Sequence, residues 1–155
     1  MEVAQIQEVV SSPAGDGEAH WWVGALATIK LATPALTLVE IQEAPGSAAP
    51  LHVHHSEDEG FWVLDGEVTF EAGKRVVHAK SGDFLFGPRD VPHRYTVGPD
   101  GSRMLFIFTP GGFEGFIRAT GQPATSRNLP PAEVEPDWDS VMANLDAYGT
   151  EILEG

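Results

Sequence analysis

The sequence predicts an all-β protein, an antiparallel barrel or sandwich with a short C-terminal helical segment. Three observations carry that reading. Short runs rich in Val, Phe, Leu and Ile recur at spacings of roughly eight to twelve residues, with no helical pattern between them. Turn-forming residues separate those runs, and the 17 glycines and 12 prolines are spread along the chain rather than clustered. Only beyond Pro110 does the apolar spacing change to the helical period.

The first strand-like runs cover residues 21–31 and 36–42, parted by Thr33-Pro34. Further runs follow at 52–55, 60–64, 67–71, 75–79, 83–86, 93–97 and 103–109. Asp65-Gly66, Gly73-Lys74, Ser81-Gly82 and Pro99-Asp100-Gly101 supply turn chemistry between them. No repeat of solenoid period is visible. Residues 112–118 predict a short helix stopped by Gly121, although Gly115 lowers its propensity. A proline-rich connector at 129–136 reads as extended chain. Asp137 then caps a helix in which Trp138, Val141, Met142, Leu145 and Tyr148 form an apolar stripe, with Gly149 as the stop. The stripe is expected to pack on the barrel or on a partner subunit.

A chain of 155 residues is long enough for a sizeable core and is read as one domain, its barrel at about 21–110 and its last helix at about 137–148. Nine Lys and Arg stand against 23 Asp and Glu, a formal charge of −14. Such a surface repels nucleic-acid phosphates and anionic lipid, and no basic cluster offsets it. The absence of cysteine excludes disulfides and thiolate ligands and leans towards a reducing compartment. The first residues lack the basic start and apolar block of a signal peptide, and the longest apolar run, near 21–29, is too short to span a bilayer. The expectation is a cytoplasmic protein.

The stretch 46–66, GSAAPLHVHHSEDEGFWVLDG, carries the most chemistry. Residues two apart on a strand share a face, about 7 Å apart. His52 and His54 therefore aim into one space, whereas Val53 and His55 face the other way. Glu59 can swing back from the next strand towards the same centre, and it shares parity with Phe61 and Val63. A second stretch, 82–93, ends in His93, whose strand parity includes Tyr95 and Val97. Three imidazoles and one carboxylate form a transition-metal donor set that leaves room for substrate or water.

Both stretches resemble the two conserved motifs of cupins, the double-stranded β-helix or jelly-roll barrels. Gly46, His52, His54, Glu59 and Gly66 fit the first motif, G-x5-H-x-H-x4-E-x6-G. Gly82, Pro88 and His93 fit the second, G-x5-P-x-G-x2-H-x3-N, in which Asp90 replaces the internal glycine and Val97 the asparagine. Asp tolerates the left-handed turn that glycine usually supplies, and Val97 is not at a ligand position. Residues 20–30, 109–124 and 147–153 extend the likeness to single-domain bacterial cupins related to quercetin 2,3-dioxygenases. That resemblance implies one divalent transition metal ion, of Ni, Fe, Mn, Co, Cu or Zn, on His52, His54, Glu59 and His93. It also implies a homodimer built on the N-terminal twenty residues and the C-terminal helix.

The remaining residues read as structural. His55 belongs to the surface or an interface, and His20 and His78 lack a ligand pattern. Glu57 and Asp58 read as a solvated acidic turn beside Glu59. Phe61 and Tyr95 are the preferred pocket walls, while Phe113, Phe116 and Ile117 are expected to seal the barrel mouth. The leading functional expectation is a dioxygenase acting on a small aromatic or enolic substrate, with Glu59 doubling as the catalytic base. The alternatives are a non-oxidative cyclase or isomerase of a polyketide or dicarbonyl compound, and a non-catalytic small-ligand binder. A sugar-phosphate isomerase is disfavoured, because only Arg89 and Arg94 lie near enough in sequence to hold phosphate.

Overall fold

The computed structural model describes residues 6–153, so the first five residues of the expected N-terminal interface stretch lie outside the described residues. Among those described, ten strands wind antiparallel into a jelly roll. They are β1 (Glu18–Trp22), β2 (Ala25–Ala32), β3 (Thr37–Glu43), β4 (Ala48–His54), β5 (Asp58–Ala72), β6 (Arg75–Lys80), β7 (Phe84–Gly87), β8 (His93–Thr109), β9 (Gln122–Pro123) and β10 (Thr150–Ile152). Two short helices, α1 (Glu114–Thr120) and α2 (Trp138–Asn144), lie near the C-terminal end. The strand order is β10-β4-β8-β3-β2-β1-β9, and β5 pairs with β6, β7 and β8. No helix among the described residues is long and apolar enough to cross a membrane.

Two long strands hold the roll together. The segment of β8 from Ser102 to Phe108 pairs with β3 on one edge and with the start of β5 on the other. Its segment from His93 to Val97 pairs instead with β4 and with residues 68–71 of β5. Register shifts between Val63 and Asp65 and between Gly66 and Val68 bend β5 between these two pairings. The inward positions follow the strand period of two: Val39 and Ile41 from β3, Phe61 and Val63 from β5, and Met104, Phe106 and Phe108 from β8 all enter one buried cluster.

Several boundaries differ from the sequence reading, each for a physical reason. Residues 21–31 are not one run but a hairpin, β1–β2, turned at Val23 and Gly24. Both turn residues have positive φ, 47° and 83°, as a two-residue hairpin loop requires. A β-branched residue rarely takes that conformation, so the turn carries no sequence signal. Asp65-Gly66 and Pro99-Asp100-Gly101 are not turns between separate strands; they are irregularities inside β5 and β8. Gly66 has φ +85°, and a Cβ there would run into the carbonyl oxygen of Gly101. Glu59 accordingly lies within β5 rather than ahead of it.

At the C-terminal end, α1 stops at Gly121, and Asp137 caps α2 by accepting a hydrogen bond from the Ser140 amide. The helix is shorter than 137–148: after Asn144 the chain tightens into a 3₁₀ turn over Asp146–Tyr148, ended by Gly149 at φ 64°. Val141 and Leu145 are buried, but Trp138 and Met142 stay half-exposed, so only part of the stripe packs on the barrel. Beyond the turn, β10 adds to the edge of β4, a strand that residues 150–152 did not announce.

Candidate metal centre

β4 delivers two of the four donors. Its pairing with β8 shifts register between Ala49 and His52, and His52 then stands directly across from His93. Their rings lie 4.5 Å apart. His54 follows on the same face, 5.0 Å from the His52 ring. Glu59 enters from β5, where it is paired with Gly87 of β7 and Phe108 of β8. Each of the four residues offers one donor atom, and those atoms all lie within 4.8 Å of one another. Glu59 Oε1 is 3.1 Å from His93 Nε2 and 3.3 Å from His54 Nε2.

The outer nitrogens fix how the rings are turned. His52 Nδ1 donates to the Pro50 carbonyl at 2.7 Å, and His93 Nδ1 donates to the Val91 carbonyl at 3.3 Å. A carbonyl oxygen only accepts, so His52 carries its proton outward and keeps Nε2 free towards the cluster. His93 Nε2 also faces an acceptor, the Glu59 carboxylate, and would give up a proton there to a metal. His54 Nδ1 faces Thr150 Oγ1 at 3.3 Å and Glu57 Oε1 at 3.1 Å. Glu57 is therefore buried against His54 and is not the solvated turn residue expected. Its Oε1 makes no hydrogen bond of good alignment among the described residues. Asp58 opens β5 and binds Arg89.

Charge in this cluster is unbalanced. Burial drives His52 down to about 4, outweighing the raising effect of Glu59. Burial alone would raise Glu59, yet the His54 and His93 imidazoles hold its carboxyl well below the usual carboxylate range. Burial also opposes a proton on His54, but the Glu59 and Glu57 carboxylates overcome it and raise His54 strongly. The protein thus keeps positive charge beside a buried carboxylate. A divalent cation meets the same need, and three Nε2 atoms plus a carboxylate oxygen suit one.

While His93 lines a neighbouring cavity with Phe61 and Phe70, His52, His54 and Glu59 open into one of about 170 Å³. Phe61, Tyr95, Phe106 and Phe108 line it from the barrel, and Trp22, Phe113, Phe116 and Val141 from the outer segments. Phe113 stacks on Phe108 at 4.2 Å and meets the His54 ring edge-on at 5.4 Å. Trp22 packs edge-on against Phe113 and Phe116, and its indole N–H donates to Thr120 Oγ1 at 2.9 Å. Phe113, Phe116 and Ile117 are all buried.

The other residues singled out from sequence lie elsewhere. His55 is half-exposed and bridges Asp90 and Glu151. Asp90, at φ 68°, occupies the left-handed turn position. His20 is buried against Glu18, and His78 pairs with Thr69. Arg89 and Arg94 are engaged by Asp58 and Glu71. Sequence reasoning missed Glu43, Glu57 and Thr150. Glu43 was detectable: it follows Thr37, Val39 and Ile41 on the inward parity of β3. Its Oε1 accepts a 2.6 Å hydrogen bond from the Tyr95 hydroxyl. Burial raises Glu43 to about 7, against the lowering effect of that hydrogen bond.

Comparison with known proteins agrees with this fold. Residues 39–109 match the family described as a cupin domain. Over 103 residues, 66% of this chain, the sequence is 26% identical to a quercetin 2,3-dioxygenase of Bacillus subtilis (strain 168). The match spans only 31% of that relative's length. An RmlC-like cupin from Shewanella frigidimarina NCIMB 400 shares the fold with a TM-score of 0.60 at 20% identity, covering 71% of this chain and 99% of that one. KdgF from Halomonas sp. does so with a TM-score of 0.56 at 22% identity, covering 59% and 85%. At such identities the likeness speaks for the fold alone.

Proposed function

We propose that this chain, a cupin by its matching residues 39–109 and its jelly-roll barrel, is a metal-dependent dioxygenase acting on a small aromatic or enolic substrate. His52, His54, Glu59 and His93 would hold one divalent transition metal ion. The observation that carries the reading is their convergence, donor atoms within 4.8 Å of one another, with His52, His54 and Glu59 lining an aromatic cavity. The partial likeness to a quercetin 2,3-dioxygenase supports the reaction class. When bound, the ion supplies Lewis acidity that lowers the pKa of an enol or phenol hydroxyl.

The chain's own residues do the rest. Glu59 is the base that accepts the substrate's hydroxyl proton on a carboxylate oxygen. Phe61 and Tyr95 are the pocket walls that orient a flat ring and keep water away. A closed cavity of about 150 Å³ accepts benzene. A volume of about 170 Å³ with an open mouth therefore suits a one- or two-ring molecule better than a three-ring flavonol. Half-exposed Trp62, Phe84 and Phe86 on the outside of β5 and β7 favour a homodimer, and the lack of cysteine favours the cytoplasm.

The test is elemental analysis of protein purified without added metal, followed by oxygen-uptake assays with flavonols and with one- and two-ring enols. The expected result is close to one metal ion per chain and oxygen consumed with the smaller substrates. Equal turnover without oxygen would instead identify a non-oxidative cyclase or isomerase, and tight binding without conversion a ligand-binding protein. A Glu59→Gln variant that keeps both metal and full turnover removes the base assignment.

A further inference from the structure

Glu43 has no part in the chemistry above, and its setting is unusual for a carboxyl group. It is the last inward residue of β3, 8% exposed, and it lines the same cavity as three of the four donors, His52, His54 and Glu59. Tyr95 holds one of its oxygens, with the phenol O–H donating to Oε1 at 2.6 Å. The other oxygen, Oε2, takes no side-chain hydrogen bond among the described residues and is not one of the fully enclosed unpartnered atoms, so it keeps access to open space. The second oxygen is free for something that enters the cavity.

Position says what that something carries. Tyr95 is the next inward residue after His93 on β8, one pleat repeat or about 7 Å along the strand. Between the donor cluster and the Glu43–Tyr95 pair the walls are aromatic: Phe61 lies 5.6 Å from the His93 ring and 6.4 Å from Tyr95, and Phe106 lies 6.2 Å from Tyr95. The cavity is therefore polar at two separated points and apolar between them. Among the described residues no Lys or Arg lines it, so nothing there balances the charge of a carboxylate or phosphate at the far point. A hydroxyl or carbonyl oxygen fits, because a protonated carboxyl donates to a carbonyl and a carboxylate accepts from a hydroxyl.

We propose that Glu43, oriented by Tyr95, is a recognition subsite for a second oxygen of the ligand, across the ring from the oxygen that meets the four-donor cluster. The ligand class is then a flat one- or two-ring molecule with hydroxyl or carbonyl groups on opposite sides. This deepens the proposed function and rests on its placing the substrate in this cavity. It requires neither oxygen consumption nor a particular metal.

The test is binding of 2-naphthol and of 2,6-dihydroxynaphthalene, followed by tryptophan fluorescence and calorimetry on the whole chain, with and without added divalent metal. Wild type is expected to bind the dihydroxy probe about tenfold more tightly than 2-naphthol, the effect of one buried hydrogen bond. Glu43→Leu should bind the two probes alike, Glu43→Gln should retain most of the preference, and Tyr95→Phe should weaken it several-fold. Circular dichroism checks that each variant is folded, and the Gln and Phe variants carry the test if the Leu variant is not. Equal affinities in wild type, no saturable binding of either probe up to millimolar concentration, or a preference that survives Glu43→Leu would overturn the subsite. A preference that persists in a protein lacking oxygen uptake leaves the subsite standing and sinks the dioxygenase reading alone.

Discussion

Thr150 pairs with His54 across the edge of the barrel, and its hydroxyl lies 3.3 Å from His54 Nδ1, on the side of the ring away from the donor cluster. With Glu57 at 3.1 Å, the last described strand and the loop after β4 jointly set the orientation of one metal-ligand candidate. Groups behind a ligating histidine typically contribute 10–100-fold to metal affinity. Glu57→Gln is expected to weaken metal binding by about tenfold or more and Thr150→Val by only a few-fold. Titration against a chelating indicator checks both, and equal effects would contradict the ranking.

Metal should also stabilise the fold, since the four donors come from three strands and His93 lies 34 residues beyond Glu59 in the chain. Free metal at a hundred times its dissociation constant adds about 2.7 kcal/mol. Stripping with EDTA should lower the melting temperature by several degrees and re-addition should restore it. Any single Ala substitution among His52, His54, Glu59 and His93 should abolish that response while the domain still melts cooperatively.

Glu43 gives the fold a pH dependence of known sign. Its folded value of about 7 lies above the 4.5 of an unperturbed Glu, so between those values the folded state binds more protons than the unfolded. Its contribution is therefore fully present below about pH 4.5 and lost as pH rises to about 7, a decline of about 3 kcal/mol. Urea unfolding of wild type and Glu43→Gln at matched pH isolates the effect. The wild type should lose stability relative to the variant between pH 5 and 7.5, and parallel curves would refute the assignment.

Gly66→Ala should be among the most damaging small substitutions outside the cavity. The position combines φ +85° with a Cβ that would strike the Gly101 carbonyl, next to Ser102, which pairs with Gly66 itself. A loss of about 3 kcal/mol is expected, read as a lowered urea midpoint. Gly73→Ala sets the comparison: φ is also positive there, at +60°, but the space is open, so about 1 kcal/mol is expected.

The sequence disclosed those features whose signal is local. Spacing alone brings His52 and His54 to one face, and alternation brings Phe61 and Tyr95 inward. Asp137 caps its helix through the Ser140 amide only three residues away. What stayed hidden depends on distant partners. Gly66 and Gly101 look like turn residues, yet the pairing of β5 with β8 turns both sites into bends of continuous strands. Residues 150–152 become a strand only because β4 leaves an edge for them. Glu57 reads as solvated from its acidic neighbours, yet it is buried against His54.

The cavity draws its walls from two sources. The four donors, Glu43 and Tyr95 all sit on strands of the barrel, within residues 39–109. Trp22, Phe113, Phe116, Val141 and Leu145 come from segments on either side of that range. Reactive groups sit in the central stretch, and much of the ligand shape is set outside it. Changes at Trp22, Phe116, Val141 and Leu145 can reshape what the cavity admits, whereas Phe113 and Thr150 stand against His54 and bear on the donors themselves. A library confined to those four positions is a direct route to altered selectivity in this scaffold.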